Sequence, residues 1–327
     1  MIIVLMYKFY DNGFMMKKYL ISIMVMFVVF CNINLGLSQE KAPIKSSTII
    51  STTSTKLYLS HRGFYAPTVE AWETSLKELG VGGTSWIGVL GGNGVSDRGH
   101  ANKARDSIIF VPHCADFSRS INVLVFFHGL EGFSKRDFQK RIIPHVRKLC
   151  RSQMNFVLLI PELPWSKNVR RSQKGRRGVW RGMRGDNFAT YIQNSLLKVR
   201  TGPFQINLGS WNMGEIILIG HSNGGSALRF AAKGGSLEKV KPSKIIFSDA
   251  DYGMWTKATW DHYIKKHPQT QLYVLVRGGD TPHKQTRRFL RSFEKGIPTN
   301  IHMKVFSRAS YSHTDIGDEA LLWVIEH

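Results

Sequence analysis

Apolar and polar residues alternate along the chain in blocks of two kinds. Short continuous runs, rich in β-branched and aromatic residues, are typical of strands buried on both faces of a sheet. These runs are Ile108–Val111, Ile121–Phe127, Phe156–Ile160, Glu215–Ile219, Lys244–Ser248, Leu272–Val276 and Ile301–Phe306. The stretches between them have apolar positions at helical spacing, near residues 135–150, 187–199, 226–232, 259–266, 282–295 and 316–326. Strands alternating with helices predict an α/β fold with a mostly parallel central sheet and helices on both faces.

Two stretches interrupt this alternation. Residues 85–95 are rich in glycine and lack the spacing of a phosphate-binding loop, so they are interpreted as turns. Residues 161–187 carry Trp165 and Trp180 among eight lysines and arginines. This basic insertion is too long for an ordinary connection and too polar for a core element. Either it forms a cap or rim that attracts an anionic substrate, or it is a solvated loop.

The N-terminus has the charged, apolar and small-residue order of a secretory signal peptide. Two lysines precede an apolar run over residues 19–30, and the small residues after it predict cleavage before Gln39. Residues 1–38 are therefore interpreted as a signal peptide, which predicts a secreted or periplasmic protein. The run is short for a spanning helix, which disfavours an N-terminal membrane anchor and predicts no stable membrane span after signal removal.

The remaining boundaries follow from composition. Met16 is an alternative start of translation, and residues 1–15 would then be an upstream extension. Residues 39–60 are rich in serine, threonine and lysine, which indicates an exposed, flexible leader. Residues 61–327 are then expected to form a single α/β domain.

Removal of the signal leaves two cysteines, Cys114 and Cys150. Each precedes a predicted strand, so both are expected at the N-terminal edge of the parallel sheet. An oxidising compartment permits a disulfide between them. The sequence alone does not decide between that bridge and two separate buried thiols.

The chain is strongly basic, with 45 lysines and arginines against 23 acidic residues and a formal net charge of +22. This excess predicts affinity for anionic partners, such as an anionic substrate or a cell-envelope surface. Nucleic acid is disfavoured because no recognised nucleic-acid motif is present. No clustered Cys and His spacing suggests zinc, and no cofactor is predicted.

The most informative stretch is Gly220-His221-Ser222-Asn223-Gly224-Gly225, which follows an apolar run and precedes a helical pattern. Strand, Gly-x-Ser-x-Gly and helix in this order predict a nucleophile elbow, a tight turn that lifts a serine hydroxyl above the sheet. Glycines on either side remove Cβ atoms that would collide in such a turn. A plain Gly/Ser/Asn turn is the alternative, and Ser222 is the predicted nucleophile.

Together with Phe127-His128-Gly129-Leu130 and Tyr311-Ser312-His313, this stretch resembles the α/β-hydrolase family. The resemblance covers the chain from about residue 105 to its end. It implies the α/β-hydrolase fold, a Ser, acid, His order along the chain and an acyl-enzyme mechanism, mostly in esterases and lipases. It does not identify the substrate.

A serine hydroxyl needs a base within hydrogen-bond reach. His313 is the predicted base because it follows the last strand and precedes the last helix. His302 lies inside that strand and is interpreted as a packing residue. His221 is expected to point away within the elbow, and His128 to brace its own loop.

The base in turn needs a carboxylate, and three candidates stay open. Asp249 exits the strand at Lys244–Ser248 and is favoured by a small margin. Asp280 follows the next strand, where the family more often has its acid, but Asp280-Thr281-Pro282 also has the pattern of a helix start. Asp251 is interpreted as facing solvent.

Charge that develops on a substrate carbonyl oxygen needs hydrogen-bond donors. The backbone N–H of Asn223, directly after the nucleophile, is one predicted donor. The resemblance implies Leu130 as the second. No metal ligand is predicted.

These residues predict a secreted serine hydrolase that cleaves a small-molecule or polymeric carboxylic ester through an acyl-enzyme intermediate. A peptidase or amidase is an alternative because amides pass through similar tetrahedral intermediates. A second alternative is a non-enzymatic protein that uses the hydrolase fold and its basic surface to bind an envelope polymer or nucleic acid.

Overall fold

The computed structural model describes residues 83–89, 106–129, 142–161, 163, 187–201 and 212–326. All of them belong to residues 47–327, one of the two compact units into which the chain divides. The predicted signal peptide and leader lie outside the described residues, as does almost all of the basic insertion. No helix in the described ranges is long and apolar enough to cross a membrane.

The strands form one twisted sheet of eight members. They are β1 Gly83–Val89, β2 Asp106–Pro112, β3 Ile121–Phe127, β4 Phe156–Pro161, β5 Met213–His221, β6 Lys244–Ser248, β7 Gln271–Arg277 and β8 Ile301–Phe306. Their order is β1-β2-β4-β3-β5-β6-β7-β8. Strands β3 to β8 pair in parallel, whereas β2 pairs antiparallel with both β1 and β4. The predicted mostly parallel sheet is confirmed.

Helices cover both faces of this sheet. They are α1 Ile143–Arg151, α2 Asn187–Thr201, α3 Gly225–Lys233, α4 Ser236–Val240, α5 Trp255–His262, α6 Thr281–Leu290 and α7 His313–Glu326. Helices α1 and α7 pack on one face and α2 to α6 on the other. The central strands β3 to β7 contain continuous apolar runs because their successive side chains point to opposite faces that are both buried. This architecture is the α/β-hydrolase fold.

One prediction is wrong at the edge of the sheet. Residues 85–95 were expected to form turns, but Gly83–Val89 is strand β1, in register with β2 from Gly83 opposite Pro112 to Val89 opposite Asp106. Two glycines in this segment lower its intrinsic strand preference. Main-chain pairing with β2 outweighs that preference, and a sequence pattern does not report such pairing.

Cys114 and Cys150 lie where the sequence places them and form a disulfide, with Cα atoms 5.7 Å apart. Cys114 follows β2, whose antiparallel direction brings its end to the N-terminal edge of the parallel strands. Cys150 is in the last turn of α1, directly before β4. The bridge links residues 36 positions apart. Closing a loop of this size restricts the unfolded chain, and on the chain-entropy account this stabilises the folded protein by roughly 4 kcal/mol.

Candidate active site

The candidate site lies at the carboxyl ends of β3 and β5. From β3 the chain crosses to β4 on one side, and from β4 it returns to β5 on the other. Ligands bind in open α/β sheets at such a switch point, beyond the carboxyl ends of the strands. A Cβ added to Gly129 after β3 would lie 3.0 Å from the Cβ of Ser222 after β5. The two turns that carry the predicted chemistry are therefore in contact.

The turn at Ser222 has the geometry of a nucleophile elbow. The backbone of Ser222 has φ of 53°, a left-handed conformation that is strained for a serine. A single 3₁₀ turn, Ser222–Gly224, then runs directly into α3. A Cβ on Gly224 would lie 2.1 Å from the Phe127 carbonyl oxygen, and one on Gly220 would lie 2.7 Å from Leu228 Cδ1. The elbow therefore fits against β3 only with glycine at position 224, and a side chain at position 220 would require Leu228 and the start of α3 to shift.

His313 and Asp249 meet although they are 64 residues apart in sequence. The His313 Nδ1 atom lies 2.6 Å from Asp249 Oδ2, and Asp249 is only 1% exposed. The other carboxylate oxygen accepts the Arg277 N–H at 3.2 Å, and the Asp249 N–H donates to the Leu275 carbonyl at 2.6 Å. An acceptor at Nδ1 places the imidazole proton there and leaves Nε2 able to accept a proton.

Asp280, the alternative acid, has another partner. It is the N-cap residue of α6, but its carboxylate makes no capping hydrogen bond. Instead it accepts from Arg277 Nε at 2.6 Å, with Arg308 Nε at 3.9 Å. The hydrogen bond from Arg277 holds the pKa of Asp280 below its usual value. Of the two acids, the structure brings Asp249 and not Asp280 into hydrogen bonding with His313.

The interpretation of Asp251 as solvent-facing is wrong, because its side chain is fully buried. Its carboxylate accepts from the Thr256 N–H and from the Thr286 hydroxyl, both at 3.2 Å. Burial raises the pKa of this carboxyl group. Asp251 therefore ties the chain after β6 to α5 and α6, and its polarity misled the sequence interpretation.

His221 does not point away from the site as expected. Its ring lies 4.7 Å from the His313 ring between centroids, and its Nε2 is 3.1 Å from the His313 carbonyl oxygen. The reason is the two-residue period of the strand. His221 shares a face with Ile217 and Ile219, which pack in the core that α7 covers, and α7 begins at His313.

His302 and His128, the other two histidines weighed as candidates for the base, have structural partners. His302 lies 2.9 Å from Gln271 Oε1 and stacks on Tyr273 with centroids 4.7 Å apart, in line with the expected packing role. His128 donates from Nδ1 to the Gly129 carbonyl at 2.7 Å and accepts the Leu163 N–H at Nε2 at 2.9 Å. His128 therefore braces the turn after β3, as expected.

The sequence did not single out Tyr252, which reaches the same place. Its ring lies 6.3 Å from the His313 ring and 6.0 Å from that of Trp255, both in edge-on orientation. Burial, together with the nearby charge of Asp249, raises the pKa of Tyr252 to about 12. The available signal was its position three residues after Asp249, beyond a strand end.

Of the two predicted oxyanion donors, only one is described. Asn223 lies in the 3₁₀ turn that starts the helical segment leading into α3, where backbone N–H groups have no partner within the helix. Leu130 lies outside the described residues. Within the described ranges, no cluster of three or more His, Cys, Asp or Glu side chains could hold a metal ion.

No family model matches the sequence, and no curated protein matches it. Among solved structures, the chain is similar to a feruloyl esterase module from Clostridium thermocellum, at 11% identity and a TM-score of 0.43, over 73% of this chain and 87% of that one. It is also similar to an S-formylglutathione hydrolase from Agrobacterium tumefaciens, at 13% identity and a TM-score of 0.41, over 75% and 95% of the two chains. Similarities this weak give no information on substrate. The α/β-hydrolase fold of this chain is established by its own strand order and elbow.

Proposed function

We propose that this chain is a serine hydrolase that cleaves a carboxylic ester through an acyl-enzyme intermediate. Ser222 is the nucleophile, His313 the general base and Asp249 the acid. The main support is the 2.6 Å hydrogen bond from His313 to the buried Asp249 carboxylate. A buried carboxylate that orients an imidazole is part of the arrangement that activates a serine hydroxyl for acyl transfer, and the His313 ring lies against that of His221, the residue directly before Ser222.

In the proposed reaction, His313 Nε2 takes the Ser222 proton while Oγ bonds to the ester carbonyl carbon. The carbonyl π electrons move to the oxygen. This oxygen accepts one hydrogen bond from the Asn223 N–H and a second one from another backbone N–H, proposed to be that of Leu130. Each such donor contributes roughly 3 kcal/mol to the transition state. The intermediate then collapses, and the departing alkoxide takes the proton from His313. A water molecule then attacks the acyl carbon while His313 Nε2 takes its proton. The bond from the acyl carbon to Oγ breaks, and His313 returns the proton to Ser222 Oγ.

The charge around the site favours an anionic substrate. Arg277 and Arg308 both lie beside Asp280, and the Arg308 side chain is 68% exposed. Asp249 and Asp280 both act on the charge of Arg277, so the positive charge left for a substrate comes from the exposed Arg308 and from the strongly basic chain, with its net charge of +22. Exposed cations at the mouth of a cleft raise the local concentration of anions, so we propose an ester that carries negative charge, either a small molecule or an envelope polymer.

This proposal predicts a salt dependence. With matched ester substrates, kcat/KM for a carboxylate-bearing ester should fall several-fold as salt rises from about 0.02 M to about 0.5 M, because the Debye length shortens over this range. A neutral ester should change less than about twofold. Arg308→Gln should weaken the dependence for the charged ester. Equal salt dependence for both esters would contradict an anionic substrate.

A secreted or periplasmic location is part of the proposal. It depends on the predicted signal peptide at residues 1–38, and the disulfide between Cys114 and Cys150 supports it. Disulfides persist in oxidising compartments and are rare in the cytosol of mesophiles.

A fluorophosphonate probe tests the nucleophile directly. The wild-type protein should be labelled, with the added mass on the peptide that contains Ser222, because only an activated serine displaces the fluoride. Ser222→Ala should not be labelled. Ser226→Ala is a matched control, since Ser226 is buried four residues further on and its hydroxyl has no hydrogen-bond partner. It should be labelled like the wild type.

Two results would contradict the proposal. Labelling of Ser222→Ala at the wild-type rate would place the reactive group elsewhere. An unlabelled wild-type protein that still binds a polyanion would favour the non-enzymatic binding protein. With a labelled wild type, matched ester and amide substrates then separate an esterase from a peptidase or amidase.

A further inference from the structure

Helix α6 carries a row of positive charge on its solvent face. The row consists of four exposed side chains, Lys284, Arg287, Arg288 and Arg291. Their spacing of three and four residues puts them on one face of the helix. The Arg291 N–H still donates to the Arg287 carbonyl at 3.0 Å, so Arg291 continues the helical path. These four residues, the α6 stripe, span about 10 Å along the helix axis.

The opposite face of α6 is packed in the core. Pro282, Thr286 and Phe289 are buried there, and the Phe289 ring lies 6.4 Å from that of Trp260 in α5. The orientation of the helix is therefore fixed, and the α6 stripe faces solvent. The buried apolar side chains of α6 lie beneath the stripe and are not free to enter a lipid layer.

The α6 stripe is not neutralised within the part of the chain that the structure describes. No ion pair or side-chain hydrogen bond joins its cations to a described residue, and Glu294, the first acid after the helix, pairs with none of them. The helix dipole favours Arg287 and Arg288 in the last turn but not Lys284 in the N-terminal half. Like charges three and four residues apart also destabilise a helix. Helix stability therefore does not explain the stripe, whereas a bound anion would relieve the repulsion.

The N-terminal end of the α6 stripe lies close to the candidate active site. The Lys284 N–H donates to the Asp280 carbonyl at 3.0 Å, and the Asp280 carboxylate accepts from Arg277 Nε at 2.6 Å. Arg277 in turn donates its backbone N–H to the carboxylate of Asp249, the proposed acid. A linear ligand bound along α6 would therefore have one end near the strand ends where Ser222 lies.

We propose that the α6 stripe binds a linear anionic polysaccharide, and that this polymer carries the ester cleaved by the hydrolase proposed above. Four cations over about 10 Å are too extended for one small anion and match a row of negative charges. Single-stranded nucleic acid is disfavoured because the exposed face of α6 has no aromatic side chain on which bases could stack. A membrane surface is disfavoured because the apolar side chains of the helix are buried. The link to hydrolysis rests on the proposed function, whereas binding itself does not.

Binding of fluorescein-labelled polygalacturonate tests the proposal, with every protein in a Ser222→Ala background so that no ester is cleaved. The double variant Arg287→Gln, Arg288→Gln should bind roughly tenfold more weakly at low salt, because fewer counterions are released from the polymer. For the same reason the slope of log Kd against log salt should become smaller by roughly one to two. Thermal unfolding checks that the variant is folded.

The double variant Lys148→Gln, Arg151→Gln is the matched control. Lys148 and Arg151 are exposed cations in the last turn of α1, on the other face of the sheet from α6. This variant loses the same net charge and the same kind of helix-end cation. It should bind polygalacturonate as tightly as Ser222→Ala alone.

Three results would overturn the inference. Unchanged affinity in the Arg287, Arg288 variant would show that the α6 stripe does not bind the polymer. An equal loss in both double variants would reduce the effect to net charge. A loss confined to single-stranded DNA or to anionic lipid vesicles would exclude a polysaccharide as the partner. The fluorophosphonate experiment is independent of all three, so either proposal can fail while the other stands.

Discussion

Replacing Asp249 with asparagine is expected to lower kcat roughly 10³- to 10⁴-fold while the protein stays folded. Asparagine has the same shape, tolerates the left-handed φ of 44° at this position, and still accepts the Arg277 N–H. Its amide can, however, donate to His313 Nδ1, which moves the imidazole proton to Nε2. A protonated Nε2 cannot take the Ser222 proton. Steady-state kinetics with a chromogenic ester, beside thermal unfolding, measure both effects.

Asp280→Asn provides the contrast for this prediction. It weakens the ion pair with Arg277 and leaves the Asp249–His313 hydrogen bond in place. We expect less than a tenfold loss of kcat, because only the longer-range charge near His313 changes. If Asp280→Asn lost as much activity as Asp249→Asn, the acid would be misassigned, and the more common family position after β7 would be correct.

Most of the fold could be predicted from the sequence because the sheet is buried on both faces. The central parallel strands β3 to β7 each contain a continuous buried apolar run, and β3, β6 and β8 have the predicted bounds. The edge strand β1 could not be predicted in this way. An edge strand has one neighbour and needs little apolar character, so its pairing depends on main-chain hydrogen bonds that side-chain patterns do not report.

The local parts of the site were also predictable. The elbow at Ser222 is contained in a few residues, and its steric demands explain its glycines. The choice among Asp249, Asp251 and Asp280 was not local. It depends on where His313 lies after two further strands, and on the partners that Asp251 and Asp280 find in α5, α6 and Arg277. Residues that meet through the fold have no common signal in the sequence.

His221 and Tyr252 illustrate two different reasons for a missed contact. The position of His221 could have been derived from strand periodicity combined with the knowledge that α7 covers that face. Tyr252 depends on a strained loop whose backbone is held by buried carboxylates. Since left-handed φ at Asp249 and Met254 is enforced by tertiary contacts, no propensity of the segment indicates where its tyrosine points.

Gly224→Ala is expected to destabilise the protein by roughly 3–5 kcal/mol, and two opposing effects decide the sign. Gly224 has helical dihedrals, φ −58° and ψ −27°, so alanine by itself would stabilise the helix by up to about 1 kcal/mol. Its Cβ would, however, lie 2.1 Å from the Phe127 carbonyl oxygen. Backbone cannot rotate aside as a side chain can, so the clash dominates, and the end of β3 or the elbow must move.

Thermal unfolding should show a Tm lower by on the order of 10 °C for this variant. If the elbow moves, Ser222 moves with it, and kcat/KM should fall about 100-fold because the geometry of attack is sensitive to shifts of about 1 Å. Gly278→Ala is the control, as its Cβ would meet the Phe306 carbonyl at 3.4 Å, an ordinary contact. Wild-type Tm and activity in Gly224→Ala would mean that the turn after β3 can move away from the elbow at no cost. The close contact between these two turns would then not hold the nucleophile in place.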